Sequence, residues 1–256
     1  MIRNPLGLRL DGDRAVRERI QQAARLGARG VVLEATGELA PHRLGQTGRR
    51  DLKHLLRSLE LSLIAVHLPT RRTFDTLDQI DDRVRRADSA FAMAYELGTR
   101  TALARIGPIP AEDDAPRRET LVSAAASLAQ RCDHRGVRLA IEADPETLGR
   151  LRGFLDGLNQ PALAASVDPT ALLGAGLNPI AATRDLNEWV AHAYAGATTP
   201  RNPRGASRSA SALDWEEYVG ALEEIGYHGF LTVWPDPSAD PAAEFKAVVD
   251  RVARIS

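Results

Sequence analysis

The chain has 256 residues, 44% of them hydrophobic and 26% charged, which is enough apolar material to bury a large core in one domain spanning 1–256. Its 33 basic and 34 acidic residues give a formal net charge of -1, so neither an overall basic excess suited to nucleic acid nor an acidic excess is present, and no nucleic-acid partner is expected. A single cysteine, Cys132, cannot form an internal disulfide, and no segment reads as a secretory leader or a run of about 18 apolar residues, so the expected location is cytoplasmic and away from membranes.

Short apolar runs recur along the chain, each followed by a segment with helical spacing. The first, Leu6 to Leu10, leads into Ala15, Ile20, Ala23, Ala24 and Leu26, which share one helical face up to Gly27. Gly30 to Leu33, Leu61 to Val66 and Thr101 to Ala104 follow; after the last of these comes an acidic, proline-containing loop, Pro108 to Arg118, and then the helical series Leu121, Ala124, Ala125, Leu128 and Ala129. Val137 to Ile141, Leu163 to Val167, Val190 to Ala193 and Phe230 to Val233 complete the set. Helix stops are expected at Gly27, Gly98, Gly136 and Gly226, and Asn178 to Ile180 reads as a helix start with proline in first position. Eight strand-then-helix units predict a closed α/β architecture, a (β/α)8 TIM barrel, rather than an open sheet.

Barrel sites form at the C-terminal ends of the strands. The residues that end the runs are Glu34, His67, Arg105, Glu142, Asp168, Tyr194 and Trp234, and alternation along barrel strands allows side chains at matching heights to converge on one mouth. Any one strand-end carboxylate can equally cap the next helix or pair with an arginine; the series as a whole points to a site. The segment 198–212, rich in Pro, Gly and Ser, adds Arg201, Arg204 and Arg208. With Arg71 and Arg72 these are candidates for an anionic ligand such as a sugar phosphate or sugar acid, or are solvated loop residues.

The stretches GVRLAIEAD (136–144), ASVDPTALL (165–173), HAYAGA (192–197), AVHLPT (65–70) and above all LDWEEYVGALEEIGYHGFLTV (213–233) resemble the xylose isomerase-like family of sugar isomerases, sugar-phosphate epimerases and related barrel nucleases, over nearly the whole chain. The resemblance implies a divalent metal (manganese, magnesium, cobalt or zinc) held by a glutamate, an aspartate, a histidine and a final glutamate from the last four strands, with the metal polarising a sugar carbonyl. Glu142 and Asp168 fall on the first two positions. Tyr194 stands where the usual histidine would be, next to a retained His192, and Trp234 stands at the final glutamate.

An indole has no lone pair to give a metal, so Glu142 and Asp168 alone are expected to hold a weak hydrated ion at most. The expected function is that of an isomerase- or epimerase-like protein acting on or binding a small carbohydrate. Glu142 is then the candidate base, Asp168 its partner and His67 an auxiliary acid or base. Glu34, Arg105, His192, Tyr194, Arg201, Arg204 and Trp234 are the expected substrate contacts. The alternative is a non-catalytic descendant that binds a carbohydrate-like or anionic ligand, or a protein partner, at the same mouth. A nuclease is not expected, because the further histidines of a multi-metal cluster are missing. The resemblance also implies a homo-oligomer, with no interface identified.

Overall fold

The computed structural model describes residues 4–12, 15–195, 213–235 and 240–255. Among these, eight parallel strands close in sequence order: β1 (Leu6–Leu10), β2 (Gly30–Glu34), β3 (Ser62–Leu68), β4 (Thr101–Ala104), β5 (Arg138–Glu142), β6 (Leu163–Val167), β7 (Val190–Ala195) and β8 (Leu231–Val233). Around them lie α1 (Val16–Arg25), α2 (Gln46–Ser58), α3 (Ile80–Leu97), α4 (Ala115–Arg135), α5 (Leu148–Leu158), α6 (Pro169–Gly174), α7 (Pro179–Leu186), α8 (Trp215–Glu224) and α9 (Pro241–Ile255). No helix among the described residues is long and apolar enough to cross a membrane.

The strands are apolar on both faces because helices cover the outside and side chains fill the inside. Leu33, Val66, Leu139 and Ile141 pack outward against the helices. Val32, Ala65, Leu103, Ala140 and Ala164 form a separate cluster inside the barrel. Glycine makes room at the N-terminal end of that interior. Gly7 of β1 is paired with Gly30 of β2, and a Cβ on either would come within 2.2 Å and 2.8 Å, respectively, of the Ile64 side chain. Ile64 fills the space that the two glycines leave.

The closing seam is stitched by polar groups. Asn4 Nδ2 donates to Gly229 O at 2.7 Å and to Tyr227 O at 3.3 Å, and β1 pairs with β8 from Leu6 with Leu231 to Leu8 with Val233. Gly27, Gly98, Gly136 and Gly226 all have positive φ, as expected of helix stops, a conformation that costs other residues about 1–2 kcal/mol. The sixth connection carries two helices, α6 and α7. Asn178 caps the second by accepting from Ile180 N at 2.9 Å and Ala181 N at 3.1 Å, with Pro179 in the first turn; such a cap contributes about 1 kcal/mol. Cys132 is buried in α4, where burial pushes its thiol pKa up, and it plays no part at the mouth.

The period of two along each strand carries the interior from apolar to polar. Two residues beyond Val32, Ala65, Leu103, Ala140 and Ala164 stand Glu34, His67, Arg105, Glu142 and Ser166. One step toward the C-terminal end therefore changes a hydrophobic layer into a polar one.

Candidate functional site at the barrel mouth

The centre of that polar layer is Arg9, the penultimate residue of β1, which is not among the strand-end residues. Its neighbours Leu8 and Leu10 pack in the outer core, so alternation sends Arg9 inward, where it is 3% exposed. A buried guanidinium needs partners. Nη1 donates to Glu142 Oε1 at 2.9 Å and to Tyr194 Oη at 2.6 Å, and Nη2 donates to Glu34 Oε1 at 2.8 Å. Nη2 also lies 2.8 Å from Nδ1 and 3.0 Å from Nε2 of His67. Nε is left as a buried donor without a partner among the described residues.

Glu142 is engaged at both oxygens. Tyr194 Oη donates to Oε1 at 2.5 Å, and His67 Nε2 lies 3.1 Å from Oε2. On its other side His67 Nδ1 lies 3.3 Å from Glu34 Oε1, so the imidazole bridges the two carboxylates. Burial alone would raise the pKa of Glu142, but His67 and Arg9 outweigh it and hold the group far below the usual carboxylate range. Glu34 follows the same pattern: burial raises its pKa, and hydrogen bonds from His67 and Arg9 bring it down to about 2. Burial lowers the pKa of Arg9, yet Glu142, Tyr194 and Glu34 push it above its ordinary value. Tyr194 is pushed well up, by burial and then by Glu142, and so stays a neutral donor.

Trp234 follows β8 and lies flat against the cation. Its ring centroid is 3.6 Å from the guanidinium carbon of Arg9 and 5.6 Å from the Tyr194 ring, close enough for a cation–π contact worth about 2 kcal/mol when desolvated. A cavity of about 30 Å³ opens beside it, lined by Arg105, Glu142, Ser166, Asp168, Tyr194 and Trp234 among the described residues. That is space for about two water molecules, so a ring-sized ligand entering here places one edge inside and lies across the opening.

The structure brings Glu34, His67, Glu142, Tyr194 and Trp234 together around one guanidinium, and sets Arg105 and Asp168 at the rim. Asp168 Oδ1 caps α6, accepting from Thr170 N at 3.0 Å and Ala171 N at 3.2 Å. His192, expected to touch substrate, is corrected by its surroundings. It is 1% exposed, with Nδ1 2.8 Å from Ser166 Oγ and Nε2 3.0 Å from Thr232 Oγ1, and it packs edge-on beneath Tyr194. Burial pulls its pKa down to about 3, so it is a neutral structural ring. Arg71 and Arg72 are exposed, and Arg72 pairs with Asp78. Arg201, Arg204 and Arg208 lie outside the described residues. Among the described residues no group of three or more His, Cys, Asp or Glu side chains is placed to hold a metal ion.

The family model of the xylose isomerase-like TIM barrel matches residues 20–254. Among solved structures, a xylose isomerase domain protein from Planctomyces limnophilus is similar with a TM-score of 0.81 and 20% identity, over 98% of this chain and 95% of that one. D-psicose 3-epimerase with D-tagatose from Clostridium cellulolyticum H10 gives 0.78 and 15%, over 98% and 99%. D-allulose 3-epimerase from Methylomonas sp. in complex with D-allulose gives 0.75 and 17%, over 100% and 98%. At these identities the likeness is one of fold. The comparison with curated proteins found no match.

Proposed function

The chain belongs to the xylose isomerase-like TIM barrel family, and on that premise we propose that it binds a small carbohydrate or sugar-like ligand at the C-terminal mouth of the barrel. The observation that carries this reading is the cavity at the mouth, lined among the described residues by the aromatic side chains of Trp234 and Tyr194 and the polar groups of Arg105, Glu142, Ser166 and Asp168. Aromatic faces with hydrogen-bonding groups around them suit a sugar ring, which has both apolar and hydroxyl-bearing surfaces. Solved relatives of this fold include complexes with D-tagatose and D-allulose.

The reading includes no resident divalent metal. Trp234 has no lone pair to offer, both nitrogens of His192 face hydroxyl groups, and Glu142 already serves Arg9, Tyr194 and His67. A divalent ion about 4 Å from a guanidinium is repelled by roughly 8 kcal/mol at an effective dielectric constant of about 20. The residues do not fit the ion.

Isomerase or epimerase chemistry is the second reading, supported by Glu142 and the neutral Tyr194 phenol lining the cavity. The geometry favours binding, because a carboxylate held ionised far below its ordinary pKa is a weak base. Saturation-transfer NMR against D-allulose, D-fructose, D-tagatose and their phosphate esters tests both. Saturable binding of at least one sugar is expected, weakened about tenfold or more by Trp234→Leu, a loss of about 1.4 kcal/mol. Deuterium uptake from D2O at the carbon beside the carbonyl supports the catalytic reading. Absence of binding to every sugar at millimolar concentration sinks both.

A further inference from the structure

We propose that Arg9 is a cation built into the fold, its guanidinium standing where the family resemblance places a divalent metal. Three of the four positions which that resemblance assigns to the ion converge on this one side chain. Glu142 accepts from Nη1 at 2.9 Å, Tyr194 accepts from the same nitrogen at 2.6 Å, and the Trp234 ring covers the guanidinium carbon at 3.6 Å. Glu34 holds Nη2 from the opposite side at 2.8 Å. The tryptophan is therefore no vacancy left by a lost ligand: a carboxylate there would compete for a cation that already has two, whereas an indole face suits the flat side of a guanidinium.

This exchange changes what the mouth can do. A metal ion leaves and returns with supply and keeps positions open to a ligand; Arg9 is covalently fixed and charged at every physiological pH. Its Nη donors are spent on Glu34, Glu142 and Tyr194. Arg9 is accordingly a positioning residue. It fixes the carboxylate and phenol that line the cavity, and ligand orientation falls to the cavity-lining residues Trp234, Tyr194, Arg105 and Asp168. The inference holds whichever ligand the rim takes.

Removing the guanidinium leaves the negative charge of Glu34 and Glu142, each within 3.3 Å of the His67 ring, without its compensating cation, a deficit that an added small cation is expected to relieve. The test uses full-length protein stripped with chelator and titrated with manganese alone, read by thermal unfolding and by the electron paramagnetic resonance of free manganese. Wild type and Arg9→Lys, which keeps a cation, are expected to show no response. Arg9→Met is expected to gain a saturable rise in melting temperature with manganese, abolished by adding Glu142→Gln, and a similar rise with millimolar guanidinium ion. A folded Arg9→Met that ignores both manganese and guanidinium overturns the proposal, as does stoichiometric manganese bound by wild type through Glu142. Should Arg9→Met not fold, wild type decides: unbroadened His67 ring resonances in the presence of manganese support the proposal, and selective broadening of them overturns it.

Discussion

Arg9→Met is expected to lower the unfolding free energy by about 3–5 kcal/mol, the range for removing one partner of a buried ion pair, read as a fall in the urea midpoint without added metal. The loss arises less from the contacts deleted than from what they leave behind. Glu34 and Glu142 flank a guanidinium that is 3% exposed, and without it two carboxylates face each other across His67 where little water reaches them. Methionine matches the arginine stem in length and fills the space with an adaptable apolar chain, so packing alone does not account for so large a change. Neutralising one carboxylate as well, in Arg9→Met/Glu142→Gln, should recover part of the loss, with a coupling of about 1–3 kcal/mol between the two sites. Additive losses, or a single-variant loss under about 1 kcal/mol, place the cluster in a far wetter environment than the geometry describes.

Stability is expected to fall on acidification in two stages, the first centred on His192. Its folded pKa is about 3, below the ordinary value of about 6.5, so between these values the unfolded chain binds the proton and the folded chain does not. The stabilisation is fully present above about pH 6.5 and is lost as the pH drops toward 3. Glu34, lowered to about 2, and Glu142, lowered further, act in the same direction. Their stabilisation is present above the ordinary carboxylate pKa of about 4.3 and is lost as the folded groups take up protons. Unfolding free energy measured from pH 7 to 4 should therefore decline throughout, and steepen below about pH 4.5. His192→Gln removes one titrating proton and should flatten the stretch between about pH 6 and 4 by about 1.4 kcal/mol per pH unit. An unchanged slope means that the His192 ring is reached by solvent.

Much of this molecule could be read from its residues, and what could not has a common cause. The strands stand where apolar runs stood, and the polar series from Glu34 to Trp234 does gather at one end, because a period of two and a barrel's curvature leave little choice. Arg9 escaped because β1 ends on Leu10, an outward position, so a scan of strand ends passed over the inward residue before it. The signal was there in LGLRL: an arginine inside a strand buried on both faces must point into the barrel and must be paired. For His192 the strand pattern gives the direction of the side chain but not its depth. It shares the inward face of β7 with Tyr194, but two residues earlier is one layer deeper, and at that depth hydroxyl partners replace solvent. Trp234 was recognised as unable to hold a metal; that it instead covers a cation from the far end of the chain depends on the β1 and β8 pairing, which no local pattern encodes.

The most direct test of a sugar-binding mouth that works without metal is calorimetric titration of chelator-stripped protein with the tightest-binding ketose of the panel. Saturable binding, unchanged by EDTA and by added manganese and weakened about tenfold or more in Trp234→Leu, is the expected result. Binding that appears only after manganese is supplied, or that survives Trp234→Leu unchanged, contradicts it.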